Sequence, residues 1–297
     1  MGQNSQRLEN LLSEKELQQI IQWYKNENIS LRELARRTSR SRSALAAMLE
    51  RLGVKTTKGN HYRHYFFDFD FFETIDNELK AYWLGFLYAD GCVFSSREYG
   101  EQEFKLSLAQ TDEEMICLFK QDLKSTYPIL YDDSHKKKNP AHQIMVRQVL
   151  RSQKTVDDLK RLGCVENKSL ILKFPTSEQV PEEFIRHFIR GYFDGDGSIS
   201  ITTSSSGHKT GSIQIVGTEN FIKELSKYFP NMGSIIKDKR KINSWYLSIG
   251  GNYKIMEVYH YFYDDATRFM PRKYEKFKTI LEQYGESQGK TNIPAGC

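Results

Sequence analysis

A membrane span and an export signal are both missing from these 297 residues. No apolar run approaches the roughly 18 residues that cross a bilayer, and the chain does not open with a basic segment followed by an apolar one. The expected setting is soluble and intracellular, in the cytoplasm of a bacterium or of a phage-infected cell. Cysteine is scarce: Cys92, Cys117, Cys164 and Cys297 stand apart with no paired spacing. That indicates neither zinc nor a disulfide framework, only buried or incidental thiols. His61 and His64 likewise have no partner at ligand spacing. Net charge is a modest +5, but it is unevenly spread, with 12 Lys and Arg against 6 Asp and Glu through Tyr65 and a net −1 beyond. A basic N-terminal module points to phosphate contact. What the chain has in plenty is Tyr and Phe, 17 and 18 of them, which suit sheet faces and nucleic-acid platforms alike.

Two stretches are variants of one another: Trp83-Leu84-Gly85-Phe86-Leu87-Tyr88-Ala89-Asp90-Gly91 and Ile189-Arg190-Gly191-Tyr192-Phe193-Asp194-Gly195-Asp196-Gly197. Each reads as an apolar helix with small residues four apart, Gly85/Ala89 and Gly191/Gly195, so one face is bare enough for another backbone to approach. The natural partner of each is the other. Helices normally end in Lys or Arg, because the dipole leaves about half a negative charge there, yet Asp90 and Asp196 occupy these ends, each before a glycine suited to a left-handed cap. If the bare faces pack, two carboxylates and two negative helix ends converge, and a cation must offset them. A hard divalent metal bound by carboxylate, carbonyl and water oxygens fits that need.

The two stretches resemble the paired motifs of LAGLIDADG homing endonucleases in the single-chain form that carries both halves. The resemblance implies that Asp90 and Asp196 bind catalytic Mg2+, for which Mn2+ or Ca2+ can substitute, with the carbonyls of Ala89 and Gly195 assisting. The motif's earlier aspartate is present as Asp194 but replaced by Tyr88 in the first copy; in the family that position is not a metal ligand. Asn167-Lys168-Ser169 followed by Phe174-Pro175 resembles the family's junction between halves, and Met270-Pro271-Arg272-Lys273-Tyr274-Glu275-Lys276-Phe277 its C-terminal signature. The family's solvent-ordering lysines then map onto Lys168 and Lys273, the latter preferred over Arg272. A water-positioning polar residue maps onto Gln110, where the second copy has Gly217, so the two catalytic centres are expected to be unequal.

Upstream, Ser13-Glu14-Lys15-Glu16 is a capping box opening a helix over 14–25, with Leu17, Ile20, Ile21 and Tyr24 at helical spacing. Ser30-Leu31-Arg32-Glu33 is a second box, opening a short helix with Leu34 and Ala35 inward. A third helix starts near Ser41, carries Leu45, Met48, Leu49 and Leu52 inward, and stops at Gly53. The last two, joined by Thr38-Ser39-Arg40, resemble a helix-turn-helix, with Ser41, Arg42 and Ser43 at the DNA-facing end; Arg40 departs from the apolar residue usual there. The polar run 55–65 reads as a linker whose Lys55, Lys58 and Arg63 can follow a DNA backbone, and Phe66–Phe72 as an aromatic packing strap. Asp76 caps the first motif helix, 77–90.

From there the sequence repeats itself. Asp196 follows Asp90 by 106 residues, Gly217-Thr218-Glu219 follows Gln110-Thr111-Asp112 by 107, and Lys273 follows Lys168 by 105, which marks an internal duplication. Each copy reads helix, two strands, helix, two strands, helix. The strands fall near 93–96, 104–109, 128–131 and 143–148 in the first copy and near 198–203, 212–216, 233–237 and 245–249 in the second. The expected fold is α+β: two pseudo-symmetric half-domains over 76–175 and 176–284 whose antiparallel sheets form a saddle. A small all-α domain (1–60) and a linker and strap (61–75) precede them, and a disordered tail (285–297) follows. Basic turns Lys136-Lys137-Lys138 and Lys239-Arg240-Lys241 fall at matching places and are expected at the rims of the saddle. Candidates to read double-stranded DNA from the sheets are Arg97, Lys105, Arg147 and Arg151 in the first copy, with Lys209, Gln214 and Lys237 in the second.

The functional expectation is a monomeric, site-specific, magnesium-dependent endonuclease that cuts both strands of a long non-palindromic DNA target. An RNA-splicing maturase and a DNA-binding regulator on the same fold are the alternatives. An intein is disfavoured because the chain opens Met1-Gly2 without a nucleophile.

Overall fold

A computed structural model describes residues 12–25, 29, 31–54, 56, 65–95 and 102–282, the side chains of Ser95, His135 and Lys138 excepted. Ser30, Lys55, Lys58, Arg63, Arg97 and the 285–297 tail lie outside the described residues. The chain divides into two units, residues 1–67 and 68–297.

In the smaller unit, α1 (Glu14–Lys25), α2 (Leu31–Thr38) and α3 (Arg42–Arg51) surround a core of Ile20, Tyr24, Leu34, Leu45, Met48, Leu49 and Val54. The first capping box is reciprocal: the Ser13 N–H donates to Glu16 Oε2 (2.9 Å) and the Glu16 N–H to Ser13 Oγ (3.3 Å). Ser41 caps α3, its Oγ accepting from the Ala44 N–H at 3.2 Å. Leu52, expected inward, is 39% exposed. It is the cap residue beyond the last turn of α3, and Val54 fills the core instead.

The larger unit runs α4 (Glu78–Asp90), β1 (Gly91–Ser95), β2 (Gln102–Ala109), α5 (Glu113–Asp122), β3 (Ile129–Asp132), α6 (Ser134–Lys138), β4 (Met145–Arg151) and α7 (Gln153–Arg161). It then repeats as α8 (Glu182–Asp196), β5 (Gly197–Thr203), β6 (Lys209–Gly217), α9 (Glu219–Ser226), β7 (Gly233–Lys237), β8 (Trp245–Gly250), α10 (Asn252–Tyr263) and α11 (Pro271–Leu281). Two four-stranded antiparallel sheets result, ordered β1-β2-β4-β3 and β5-β6-β8-β7. The duplication therefore extends to topology. The fold is α+β.

Several local expectations are corrected. Asn77, not Asp76, caps α4: its Oδ1 accepts from the Lys80 N–H at 3.1 Å, while Asp76 pairs with the Lys80 amine. The first basic segment is not an open turn but the short helix α6. The second copy has one helix more than expected, because the segment matching the turn at Lys168 continues, from Pro271 at its first turn, into α11. Of the aromatic strap, Phe71 and Phe72 are buried in the larger unit, where the Phe72 ring meets Phe104 edge-on at 6.4 Å.

The motif helices form the centre. α4 is apolar all round, and Ala81 through Tyr88 are all buried, as a helix covered on every side must be. Gly85 and Gly191 permit its contact with α8. A Cβ on Gly85 would lie 2.0 Å from the Phe188 carbonyl oxygen, and one on Gly191 would lie 2.0 Å from that of Tyr82. The glycines after the aspartates serve differently from expectation. Gly91 and Gly197 have φ of −75° and −89°, extended rather than left-handed. They are needed for room, since added Cβ atoms would meet the Leu87 oxygen at 2.4 Å and Phe193 Cδ2 at 2.2 Å.

Polar contacts lock the copies together. Arg190, wholly buried, donates to Glu78 Oε1 of α4 (2.7 Å) and to the carbonyls of Phe262 and Arg268 (2.8 Å each). Arg268 in turn makes two 2.7 Å bonds to Asp122 of the first copy.

Candidate metal and nucleic-acid site

Asp90 and Asp196 emerge where α4 and α8 cross. Gly195 packs so tightly on Ala89 that a Cβ there would lie 2.2 Å from the Ala89 Cβ and 3.1 Å from Asp90 Oδ2. Burial pushes the Asp90 carboxyl up to about 6, the neighbouring charge of Asp196 pushes it the same way, and Lys273 and Lys168 oppose. Asp196 is also raised by burial, against the charges of Lys168 and Lys273, the nearby Tyr192 hydroxyl and the charge of Lys241. The juxtaposition therefore holds two carboxylates in a partly dry setting that disfavours their ionisation.

Lys168 and Lys273, mapped onto solvent-ordering roles, both reach the neighbourhood of the aspartates. Both are buried, and each amine is directed into the end of a motif helix. Lys273 Nζ donates to the carbonyls of Phe193, Asp194 and Gly197 (2.6 Å each), with Gly195 at 3.3 Å. Lys168 Nζ donates to the carbonyl of Gly91, the position matching Gly197. The basic residue that each helix lacks in its own last turn is supplied from a distant segment, neutralising the dipole end. Burial pulls the Lys273 amine down to about 8, with Asp194, Asp90 and Asp196 holding it up. Replacing Lys273 by Met removes a buried donor shared by four carbonyls, of which that of Phe193 keeps the Gly197 N–H, so K273M is expected to lose about 3 kcal/mol of stability, and K168M less. Thermal unfolding checks this, and equal melting of K273M and the parent would refute the capping role.

The departure at Tyr88 also has a structural reading. Asp194 accepts from the Tyr82 hydroxyl (2.8 Å) and from the Met270 N–H (2.7 Å), fastening α8 to the start of α11. Tyr88, at the matching place, donates its hydroxyl to the Leu162 carbonyl and fastens α4 to the end of α7. One copy uses a carboxylate and the other a phenol for one mechanical task.

Sequence reasoning missed Asp112. It forms a two-pronged bridge with Arg272 (2.7 and 3.0 Å) across the two copies, and its charge is felt at Asp90. The only signal was its place in the repeated Gln-Thr-Asp segment. Gln110 is exposed at the end of β2, its N–H donating to the Ile144 carbonyl at 2.9 Å.

Register decides what the sheets present. In the first, buried Phe104, Leu106 and Leu108 alternate with Lys105, and buried Val146, Gln148 and Leu150 with Arg147 and Arg151. All three candidates thus lie on the outer face, though Arg151 is paired with Glu103 and Arg147 with Asp132. In the second sheet only Gln214 is outward. Lys209 and Lys237 share the parity of buried Ile213 and Leu247 but stand at strand ends, where Lys209 is half-buried and Lys237 exposed, the latter's amine 5.7 Å from the Trp245 ring centroid. Ser198, Gln214, Ser248 and Ser234 instead line up across all four strands, a row of hydroxyl and amide groups with no charge.

The basic connections stand at the sheet ends nearest the aspartates. Gly197 pairs with Ile215, and Gly217 with Trp245, which faces Lys237, so the turn 238–244 lies at the acid end of its sheet. The first copy repeats this through Gly91↔Leu106 and Ala109↔Met145↔Asp132. Lys136, Lys239, Arg240 and Lys241 are exposed there, as is Lys137, which pairs with Asp133 at 2.9 Å, while Arg240 pairs with Asp238. The Lys138 side chain lies outside the described residues. In the smaller unit Ser41, Arg42 and Ser43 are exposed.

Among the described residues no cluster of three or more His, Cys, Asp or Glu could hold a metal. The aspartate pair still fits a hard cation such as Mg2+, which takes one or two carboxylates and fills its other positions with water and substrate phosphate. Of the two expected carbonyl ligands, that of Gly195 is already shared with Lys273. Without metal, the folded protein holds a proton on Asp90 up to about pH 6, whereas the unfolded chain releases it near 4. Between these values the folded state binds more protons, so this group's contribution to stability rises as pH falls from 6 to 4. Asp90→Asn in chelator is expected to melt higher than the parent at pH 7.5, by up to about 3 kcal/mol, with the advantage vanishing near pH 4. A difference independent of pH would contradict the assignment.

No protein-family model matches the chain, and no curated protein matches it in sequence. The chain is similar in structure to LAGLIDADG homing endonucleases. One, I-LtrWI bound to its target DNA, is 13% identical, with 70% of this chain and 91% of that one covered and a TM-score of 0.48. I-AabMI bound to uncleaved DNA is 14% identical over 70% and 90% with a score of 0.48, and I-GzeII with its DNA target 12% over 74% and 99% with 0.47. At such low identity the functional reading rests on this chain's own residues. Among the described residues no helix is long and apolar enough to cross a membrane.

Proposed function

We propose that the chain is a site-specific, metal-dependent endonuclease of the homing type that hydrolyses both strands of a long, non-palindromic DNA duplex and acts as a monomer. The convergence of Asp90 and Asp196 at the crossing of the duplicated helices carries this reading. Buried carboxylates that repel one another are otherwise a liability, and the motif resemblance gives them a use.

Asp90 and Asp196 would hold a divalent cation, which would supply Lewis acidity and lower the pKa of bound water toward neutrality. The close approach of Gly195 to Ala89 limits how far the carboxylates can swing. Lys168 and Lys273 act as positioning residues, fixing the helix ends from which the aspartates project. The outer sheet faces form the proposed saddle. On it the first copy offers Lys105 and partly paired arginines, and the second the Ser198-Gln214-Ser248-Ser234 row for base edges. Basic residues at the acid end contact phosphates, and the Ser41 end of α3 meets flanking DNA. Selection from a randomised duplex library tests this. Magnesium should yield one enriched sequence cut on both strands, and calcium the same sequence bound intact; cleavage of no duplex, or of all alike, would reject it.

A further inference from the structure

Leu170, Ile171 and Ile242 are 53, 60 and 82% exposed. Large aliphatic side chains so open to water forgo the stabilisation that burial brings, and three together form a patch that calls for an occupant. They come from two segments that are physically joined: Asn243 Nδ2 donates to the Leu170 carbonyl at 2.7 Å. Ile171 and Asn243, with Lys173, Thr218, Asn220 and Lys223, also border one hollow of about 550 Å³.

Their position is set by the sheet and by Lys168. The turn bearing Ile242 lies at the acid end of the second sheet, and Leu170 follows by two residues the lysine whose amine holds the Gly91 carbonyl beside Asp90. Two carboxylates lie nearby, but each is matched by a cation, Glu219 by Lys223 and Asp238 by Arg240, and Lys173, Lys239 and Lys241 are exposed around the apolar centre in addition. A cationic rim around an apolar tip matches a polyanion with an apolar interior, which describes stacked base pairs between phosphate backbones. Aliphatic side chains are known to part base steps in this way, at a deformation cost that extra contacts offset. By the 105-residue offset that relates Lys168 to Lys273, Glu275-Lys276 stand where Leu170-Ile171 would recur, so the apolar pair occurs on one side only.

Resting on the nuclease reading, we propose that Leu170, Ile171 and Ile242 form a wedge that enters the bound duplex beside the aspartate pair and unstacks one base step, bending the target from one side. The DNA selected above, with 2-aminopurine placed in turn at each central position, is the probe, in calcium so that it stays intact. The parent protein should raise fluorescence at one step. The Leu170→Ser/Ile171→Ser/Ile242→Ser variant, changed only at exposed positions, should keep its melting temperature and bind but lose that signal. In magnesium it should cut roughly tenfold or more slowly, and a mismatch at the same step should restore the rate. An undiminished signal or rate in the variant overturns the wedge while leaving the nuclease reading intact. Self-association of the parent abolished in the variant would also overturn it, assigning the patch to a second copy of the chain. Failure of the parent to bind or cut any duplex removes the nuclease reading and the wedge with it.

Discussion

Asp196→Asn is expected to slow double-strand cleavage by roughly a thousandfold or more while leaving duplex binding in calcium within a few-fold. The amide keeps the shape of the side chain but removes one of two anionic ligands from a site that has no third carboxylate, His or Cys to compensate among the described residues. In chelator the variant should bind DNA at least as tightly as the parent, because a carboxylate no longer faces phosphates across an empty gap. That inversion separates loss of a metal ligand from general damage. Cleavage at the parent rate would end the case for the aspartate site.

Gly191→Ala should be equally drastic, through packing alone. The added methyl would stand 2.0 Å from the Tyr82 oxygen, 2.8 Å from its carbonyl carbon and 3.1 Å from the Phe86 nitrogen. All three are backbone atoms of a buried helix and cannot rotate away, so α4 and α8 must separate along their length. Overpacking at a yielding site costs about 1–3 kcal/mol; here a loss beyond about 4 kcal/mol is expected, enough to remove most of the stability of an ordinary domain. Gly250→Ala, where a Cβ meets nothing within 4 Å, is the control and should change little. Comparable melting of the two variants would show that the helices tolerate a wider crossing.

The centre of this fold was legible in the sequence because its determinants are local. Small residues four apart, an aspartate at a helix end and a repeat of 105–107 residues can be read without knowing what lies opposite. What depended on tertiary direction was not. Lys168 and Lys273 were correctly paired by the repeat, yet the same spacing is compatible with an amine facing phosphate and with one facing helix carbonyls. Lys209 and Lys237 stand at strand ends, where sequence alternation alone does not fix which face a side chain takes. Arg190 sits in an apolar motif, and its partners, the half-buried carboxylate of Glu78, 112 residues away, and the carbonyls of Phe262 and Arg268, explain how its charge is tolerated there.

The reciprocal fit of Gly85 and Gly191 has a bearing on how such a chain can be divided. Each glycine is a notch shaped to the other helix's spine, so a polypeptide severed between residues 175 and 176 would yield two pieces, each with an oily groove and nothing to seat in it. Neither fragment is expected to persist as a solitary globule. Mixed together they should reassemble the parent, and kept apart each should seek a twin, substituting its own notch for the missing one and exchanging a pseudo-symmetric pairing for a truly symmetric one.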